Sequence, residues 1–156
     1  MSDYNKKLLS HFLNPYNIGI IQNADGYGFA NNPVNGYRTD IYIKIENGKI
    51  SDIKFKTIGC TATIASASAL TKIVKNKSLD EIINRENPFE NLLDMLINEI
   101  GDVPKKNWHC PPTAIKILFI AICNYYENKN DQKDVNKIEK IIKYINNFFY
   151  RKLNEN

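Results

Sequence analysis

Apolar and polar residues alternate twice in succession near the middle of the chain, through YRTDIYIKIE (37–46) and again through KISDIKFKT (49–57), with only Asn47-Gly48 between them. A period of two marks a half-buried strand, and Asn-Gly supplies the two positive-φ residues of a type I′ turn. The pattern therefore predicts an antiparallel hairpin. Ile41, Ile43 and Ile45 fall on one face, answered by Ile50, Ile53 and Phe55, although the step from 50 to 53 breaks strict alternation.

After the hairpin the period changes to that of a helix. Residues 61–76 place Ile64, Ala67, Leu70 or Thr71, and Val74 in line. Ser78 and Glu81 form a capping box ahead of a second short helix, SLDEIINR. Asn87-Pro88 opens a third, PFENLLDMLINEI, which Gly101 closes. A strongly apolar helix is expected from about Thr113 to Tyr126, with Pro111 and Pro112 tolerated at its start because first-turn amides lack partners. Ahead of the hairpin, residues 4–13 suit a short amphipathic helix stopped by Pro15. Residues 14–36 read as loop, with at most a short strand near 26–30. An irregular stretch of that length is often functional.

The last segment, 131–156, reads as a separable extension to a domain spanning 1–130. Val135, Ile138, Ile142, Ile145 and Phe149 form one apolar stripe, and Lys137, Lys140 and Lys143 lie on the polar face. The stripe is expected to pack on the domain or on a sister chain. Lying on a membrane surface is the alternative for a basic amphipathic helix.

Composition narrows the class. In 156 residues, 43% are hydrophobic and 24% charged, which suits one soluble domain with a real core. No apolar run is long enough to span a bilayer, and MSDYNKKLLSHFLNPYN lacks the apolar stretch of a secretory signal. The three cysteines, at 60, 110 and 123, are odd in number and widely spaced, so they favour thiol or metal chemistry in a reducing compartment over a disulfide framework. A cytoplasmic location is expected. The net charge of +4 comes from scattered lysines, with arginine only at 38, 85 and 151, so nucleic acid is not an expected partner.

The candidate chemistry lies at two helix starts. Cys60 precedes the small-residue helix, where free amides and the helix dipole favour a thiolate, though a buried structural cysteine is the alternative. His109 and Cys110 stand together before the apolar helix and add a nitrogen and a second sulfur. If the two helix starts converge, two sulfurs and one imidazole suit a soft metal: zinc takes three such ligands and a fourth, an iron-sulfur cluster four. Cys123, within the apolar helix, is expected in the core.

Several motifs together resemble the U-type iron-sulfur cluster assembly scaffolds, the NifU N-terminal and IscU-like family. NPYNIG (14–19) is similar to its Asn-Pro-x-Asn-x-Gly opening, FKTIGCTATIASAS (55–68) to its second-cysteine motif, KSLDE (77–81) to the helix that follows, and His109-Cys110 to its third-cysteine motif. The resemblance runs over roughly residues 11–128. It implies an α+β domain with a small antiparallel β-sheet packed against several helices, here followed by the C-terminal amphipathic helix. It also implies cofactor and metal positions at Cys60, His109 and Cys110, holding a labile [2Fe-2S] cluster or zinc.

Two family positions are substituted. The family's first motif is Cys-Gly-Asp, and Asn35-Gly36-Tyr37 stands in its place, so the first cysteine is replaced by Asn35 and the aspartate by Tyr37. Asp40 is no simple substitute, because three residues along a strand it points to the other face. The family's Leu-Pro-Pro-Val-Lys stretch is also altered, to Val103-Pro104-Lys105-Lys106-Asn107.

The resemblance thus implies a scaffold or carrier rather than an enzyme, accepting sulfur from a cysteine desulfurase and passing clusters to apo iron-sulfur proteins, with a homo-oligomer also in view. The alternative is a degenerate member that binds zinc, or docks to the desulfurase as sulfur acceptor or regulator. A Cys-His acyl-transfer enzyme is a third class, but no oxyanion-hole glycine pattern or orienting third residue supports it.

Overall fold

The computed structural model describes residues 3–155. Helix α1 spans Lys6–Leu13 and is capped by the Asn5 side chain, which accepts from the Leu8 amide. Three strands follow, β1 (Gly26–Asn31), β2 (Arg38–Glu46) and β3 (Lys49–Thr57), forming one antiparallel sheet in the order β1-β2-β3. Asn47 and Gly48 take φ of 52° and 73°, as the expected turn requires.

The broken alternation has a structural answer. A register shift between Lys44 and Ile45 brings Ile50 opposite Ile45 while Ile53 stays opposite Ile43. Ile50, Ile53 and Phe55 therefore all point inward despite the three-residue step, and with Ile41 and Ile43 they are buried. Ile45, beside the irregularity, is only half-buried. Each fully buried isoleucine stabilises the fold by roughly 1.5–3 kcal/mol. The segment expected as loop before the hairpin covers the free edge of β3, where Gly19 donates to the Phe55 carbonyl and Phe55 donates to that of Asn17.

Five more helices complete the fold: α2 (Thr61–Val74), α3 (Leu79–Ile83), α4 (Pro88–Ile100), α5 (Cys110–Asn128) and α6 (Gln132–Leu153). Ser78 and Glu81 make both bonds of the capping box, and Gly101 ends α4 at φ 75°. Helix α5 begins at Cys110, three residues before the expected Thr113, because a 3₁₀ turn over Lys105–Asn107 already bends the chain into helical geometry. Its two prolines sit in the first turn, where they forfeit no intrahelical bond.

Helix α5 is the central element, packed on β1 and β2 on one side and on α2, α4 and α6 on others. Gly26 and Gly28 permit its approach to the sheet: a Cβ on Gly26 would lie 2.4 Å from the Ala121 carbonyl oxygen, and one on Gly28 2.6 Å from the Ala121 nitrogen. Helix α6 lies along α5, with Val135, Ile138, Ile145 and Phe149 buried in the same core as the sheet. Among the described residues no helix is long and apolar enough to cross a membrane.

Candidate functional site

The starts of α2 and α5 meet at one end of the molecule, and Thr63 joins them. Cys60 is the N-cap of α2, and its Sγ lies 3.2 Å from Thr63 Oγ1. The same hydroxyl lies 3.6 Å from Sγ of Cys110, the first residue of α5. Two sulfurs 50 positions apart in the sequence thus share one oxygen. Asn107, from the 3₁₀ turn, directs its amide nitrogen toward Cys60 Sγ at 4.0 Å and accepts from the Tyr4 hydroxyl at 3.3 Å.

The two thiols differ electrically. Cys60 is half-exposed. Burial pushes its thiol up, but the Thr63 hydroxyl and amide, the Cys110 thiol and the Ala62 amide outweigh it, so the net direction is below the ordinary value of 9.0. Cys110 is 3% exposed, and burial pushes it up to about 12, only partly opposed by Thr63. Cys60 is the thiol that ionises first.

His109 completes the corner. Its Nδ1 lies 3.7 Å from Cys110 Sγ and 2.7 Å from Asn32 Nδ2, while its Nε2 lies 3.1 Å from the Lys106 carbonyl oxygen. A carbonyl only accepts, so Nε2 carries the proton and Nδ1 is the acceptor. Burial lowers the pKa, opposed in part by the Lys106 bond, and the ring is neutral near pH 7. The Trp108 ring stands edge-on to it at 5.7 Å.

Asn35 and Tyr37 occupy the loop between β1 and β2, at the same end of the molecule as His109, and both are exposed. Asn35 Oδ1 accepts from the Tyr37 amide at 3.0 Å, so its side chain serves the turn. Asp40 accepts from the Tyr27 hydroxyl and from Arg38, on a network of its own. Cys123 is buried farther along α5, about 20 Å from Cys110 by the rise of the helix.

The structure therefore brings Cys60, His109 and Cys110 into one corner, and adds three residues not singled out as site residues: Asn32, Thr63 and Asn107. The Asn32-Pro33 step was readable as a turn, but nothing in the sequence pointed Asn32 at His109. Two thiols and an imidazole nitrogen are donors suited to a soft metal ion. Among the described residues, however, no three His, Cys, Asp or Glu side chains are already arranged to hold one, and His109 Nδ1 is engaged by the Asn32 amide.

Comparison with known proteins shows the family. The family model for the NifU-like N terminal domain matches residues 3–132. The chain is 36% identical over 146 residues to the iron-sulfur cluster assembly scaffold protein IscU 1 of Archaeoglobus fulgidus, covering 88% of this chain and 92% of that one. It is 35% identical over 138 residues to the IscU scaffold of Aquifex aeolicus, covering 87% and 84%. Among solved structures, a putative iron-sulfur cluster assembly scaffold protein for the SUF system from Fervidobacterium islandicum matches with a TM-score of 0.57 at 19% identity, over 76% of this chain and 96% of that one, and shows the shared fold. With the expected α+β architecture, the paired cysteine corner and these matches together, the chain belongs to the NifU-like N terminal domain family.

Proposed function

We propose that this protein is an iron-sulfur cluster assembly scaffold, which receives sulfur and iron at the α2–α5 corner and holds the product for transfer to apo-proteins. The observation that carries this reading is the pair of sulfurs, Cys60 and Cys110, held against one Thr63 hydroxyl beside a neutral His109. Iron and sulfide are the cargo. Cys60, Cys110 and His109 are the residues that hold them, as a [2Fe-2S] cluster or, in its place, zinc.

Sulfur enters at Cys60. Its thiolate attacks the outer sulfur of a persulfide on a cysteine desulfurase, a new S–S bond forms at Cys60, the donor's S–S bond breaks, and the donor cysteine leaves as a thiolate. This transfer involves no net oxidation or reduction; releasing the outer sulfur from Cys60 as the sulfide of a cluster then takes two electrons from an external reductant, a dithiol or an electron-transfer protein, and returns Cys60 to its thiolate. The assignment to Cys60 follows from its half-exposure and lowered pKa, because Cys110 is buried and stays protonated. The N-terminus of α2 stabilises the thiolate before attack.

A second reading is favoured by one observation. Asn35, where the family has its first cysteine, is a neutral amide engaged with the backbone of its own turn, so fewer thiolates are present than a four-ligand cluster uses. On that reading the protein binds zinc, or accepts sulfur as a regulator without building a stable cluster. Anaerobic reconstitution with iron and sulfide separates the two. The scaffold reading expects visible charge-transfer absorption in the parent that Cys60→Ala and Cys110→Ala each lose. Zinc uptake without such bands selects the second, and bands that survive both substitutions sink the corner as the site.

A further inference from the structure

We infer that Asn32 is a positioning residue that guards His109, holding the Nδ1 lone pair until a metal ion takes it. This rests on the reading of the corner as a metal-loading site, and it concerns the one nitrogen donor of that corner.

The hydrogen-bond chemistry leaves a single arrangement. Asn32 Oδ1 accepts from two backbone amides, Val34 at 2.8 Å and Asn35 at 3.2 Å. The carboxamide is therefore oriented with its NH₂ toward His109, and that group can only donate. His109 Nε2 must carry its proton to donate to the Lys106 carbonyl. Nδ1 consequently presents its one in-plane lone pair to Asn32 Nδ2, 2.7 Å away. A neutral imidazole has no second lone pair, so an Nδ1-bound metal ion and the Asn32 bond exclude each other.

The arrangement is built rather than incidental. Asn32 is 3% exposed and His109 is 3% exposed, so the bond is shielded from water on both sides. The turn around Asn32 is closed by two further backbone bonds, Asn32 to the Tyr37 carbonyl and Gly36 to the Asn32 carbonyl. Asn35 is tied to the same carboxamide. Loading of His109 thereby frees the Asn32 NH₂, while the four bonds that close the loop, through Oδ1 and the backbone, do not involve that group.

Zinc alone is the probe, with two readouts. In the parent, NMR of the ¹⁵N-labelled protein is expected to show the Asn32 NH₂ bonded to His109 Nδ1 before zinc, and that bond lost with a shift of the Nδ1 resonance after zinc. In competition with a chromophoric chelator, folded Asn32→Ala is expected to bind zinc about three- to tenfold more tightly, the worth of one hydrogen bond no longer displaced. Zinc bound in a Cys60- and Cys110-dependent way with the Asn32 bond intact, or with Nε2 metallated instead, overturns the inference and leaves the metal site standing. So does an affinity of folded Asn32→Ala equal to or below the parent's. Zinc uptake that Cys60→Ala and Cys110→Ala do not diminish overturns the metal-site reading itself, and the guard with it. Should Asn32→Ala fail to fold, the parent spectra decide alone.

Discussion

Thr63 is the residue on which the two sulfurs turn. A hydroxyl has one proton, so it can donate to one sulfur while accepting from the other. Because Cys60 ionises first, the proton goes to the Cys60 thiolate and the Cys110 thiol faces the oxygen. Thr63→Val keeps the β-branched shape and removes this bond. The pH midpoint of Cys60 alkylation by iodoacetamide is then expected to move upward, with slower reaction at about pH 7, because the thiolate is the attacking form. Cys110 is expected to stay unreactive in both proteins, since burial holds its thiol near 12. An unchanged midpoint would remove Thr63 from the site's electrostatics. At this scale the sequence announced the cysteines and His109 by residue type alone. Asn32 was hidden because asparagine is abundant along the chain and its partner lies 77 positions away.

Among the elements, β1 and α5 set the position of His109 and Cys110. The strand GYGFAN carries two glycines and no β-branched residue, so its local preference for the sheet is weak. It is a strand because β2 pairs with it along its whole length and α5 lies on its glycines. The missing side chains are the fit: in Gly28→Ala the new Cβ meets the Ala121 nitrogen at 2.6 Å and the Ile117 carbonyl oxygen at 2.9 Å. Backbone cannot rotate away as a side chain can, so Gly28→Ala is expected to cost about 1–3 kcal/mol. Thermal unfolding should record a midpoint lower by roughly 2–4 °C for each kcal/mol lost. An unshifted midpoint would mean that the α5–β1 approach is looser than the structure has it. The hairpin, by contrast, was legible in outline, since alternation and Asn-Gly are local signals; only the register shift at Lys44 and Ile45 needed the partner strand.

For the molecule as a whole, the C-terminal helix and the site share an aromatic bridge. Trp108, the protein's single tryptophan, lies 5.8 Å from the Phe149 ring, 6.3 Å from that of Phe148 and 5.7 Å from that of His109. Phe149 is 6% exposed, so Phe149→Ala is expected to destabilise the protein by roughly 3 kcal/mol through lost burial and a cavity. Water reaching the indole should also shift its emission to longer wavelength. Fluorescence-monitored denaturation checks both, and a variant with the parent's emission and midpoint would show that α6 does not support this corner. The amphipathic stripe was plain from spacing. Its docking along α5, with its last turns against Trp108, was not, because periodicity names a buried face without naming what covers it.

By itself the chain determined whatever is encoded within one or two turns of backbone. That includes the hairpin turn, the capping box of α3, the stop at Gly101, the apolar stripe of α6, and the placing of thiols and an imidazole at helix starts. The tertiary fold decided which of these groups meet. It set Thr63 between Cys60 and Cys110, separated their pKa values by burying Cys110 and hydrogen-bonding Cys60, and laid the Asn32 amide on His109. The reason is physical: turn and helix preferences arise from neighbouring dihedral angles and nearby amides, whereas desolvation and hydrogen bonds between distant residues exist only once the packed core has excluded water.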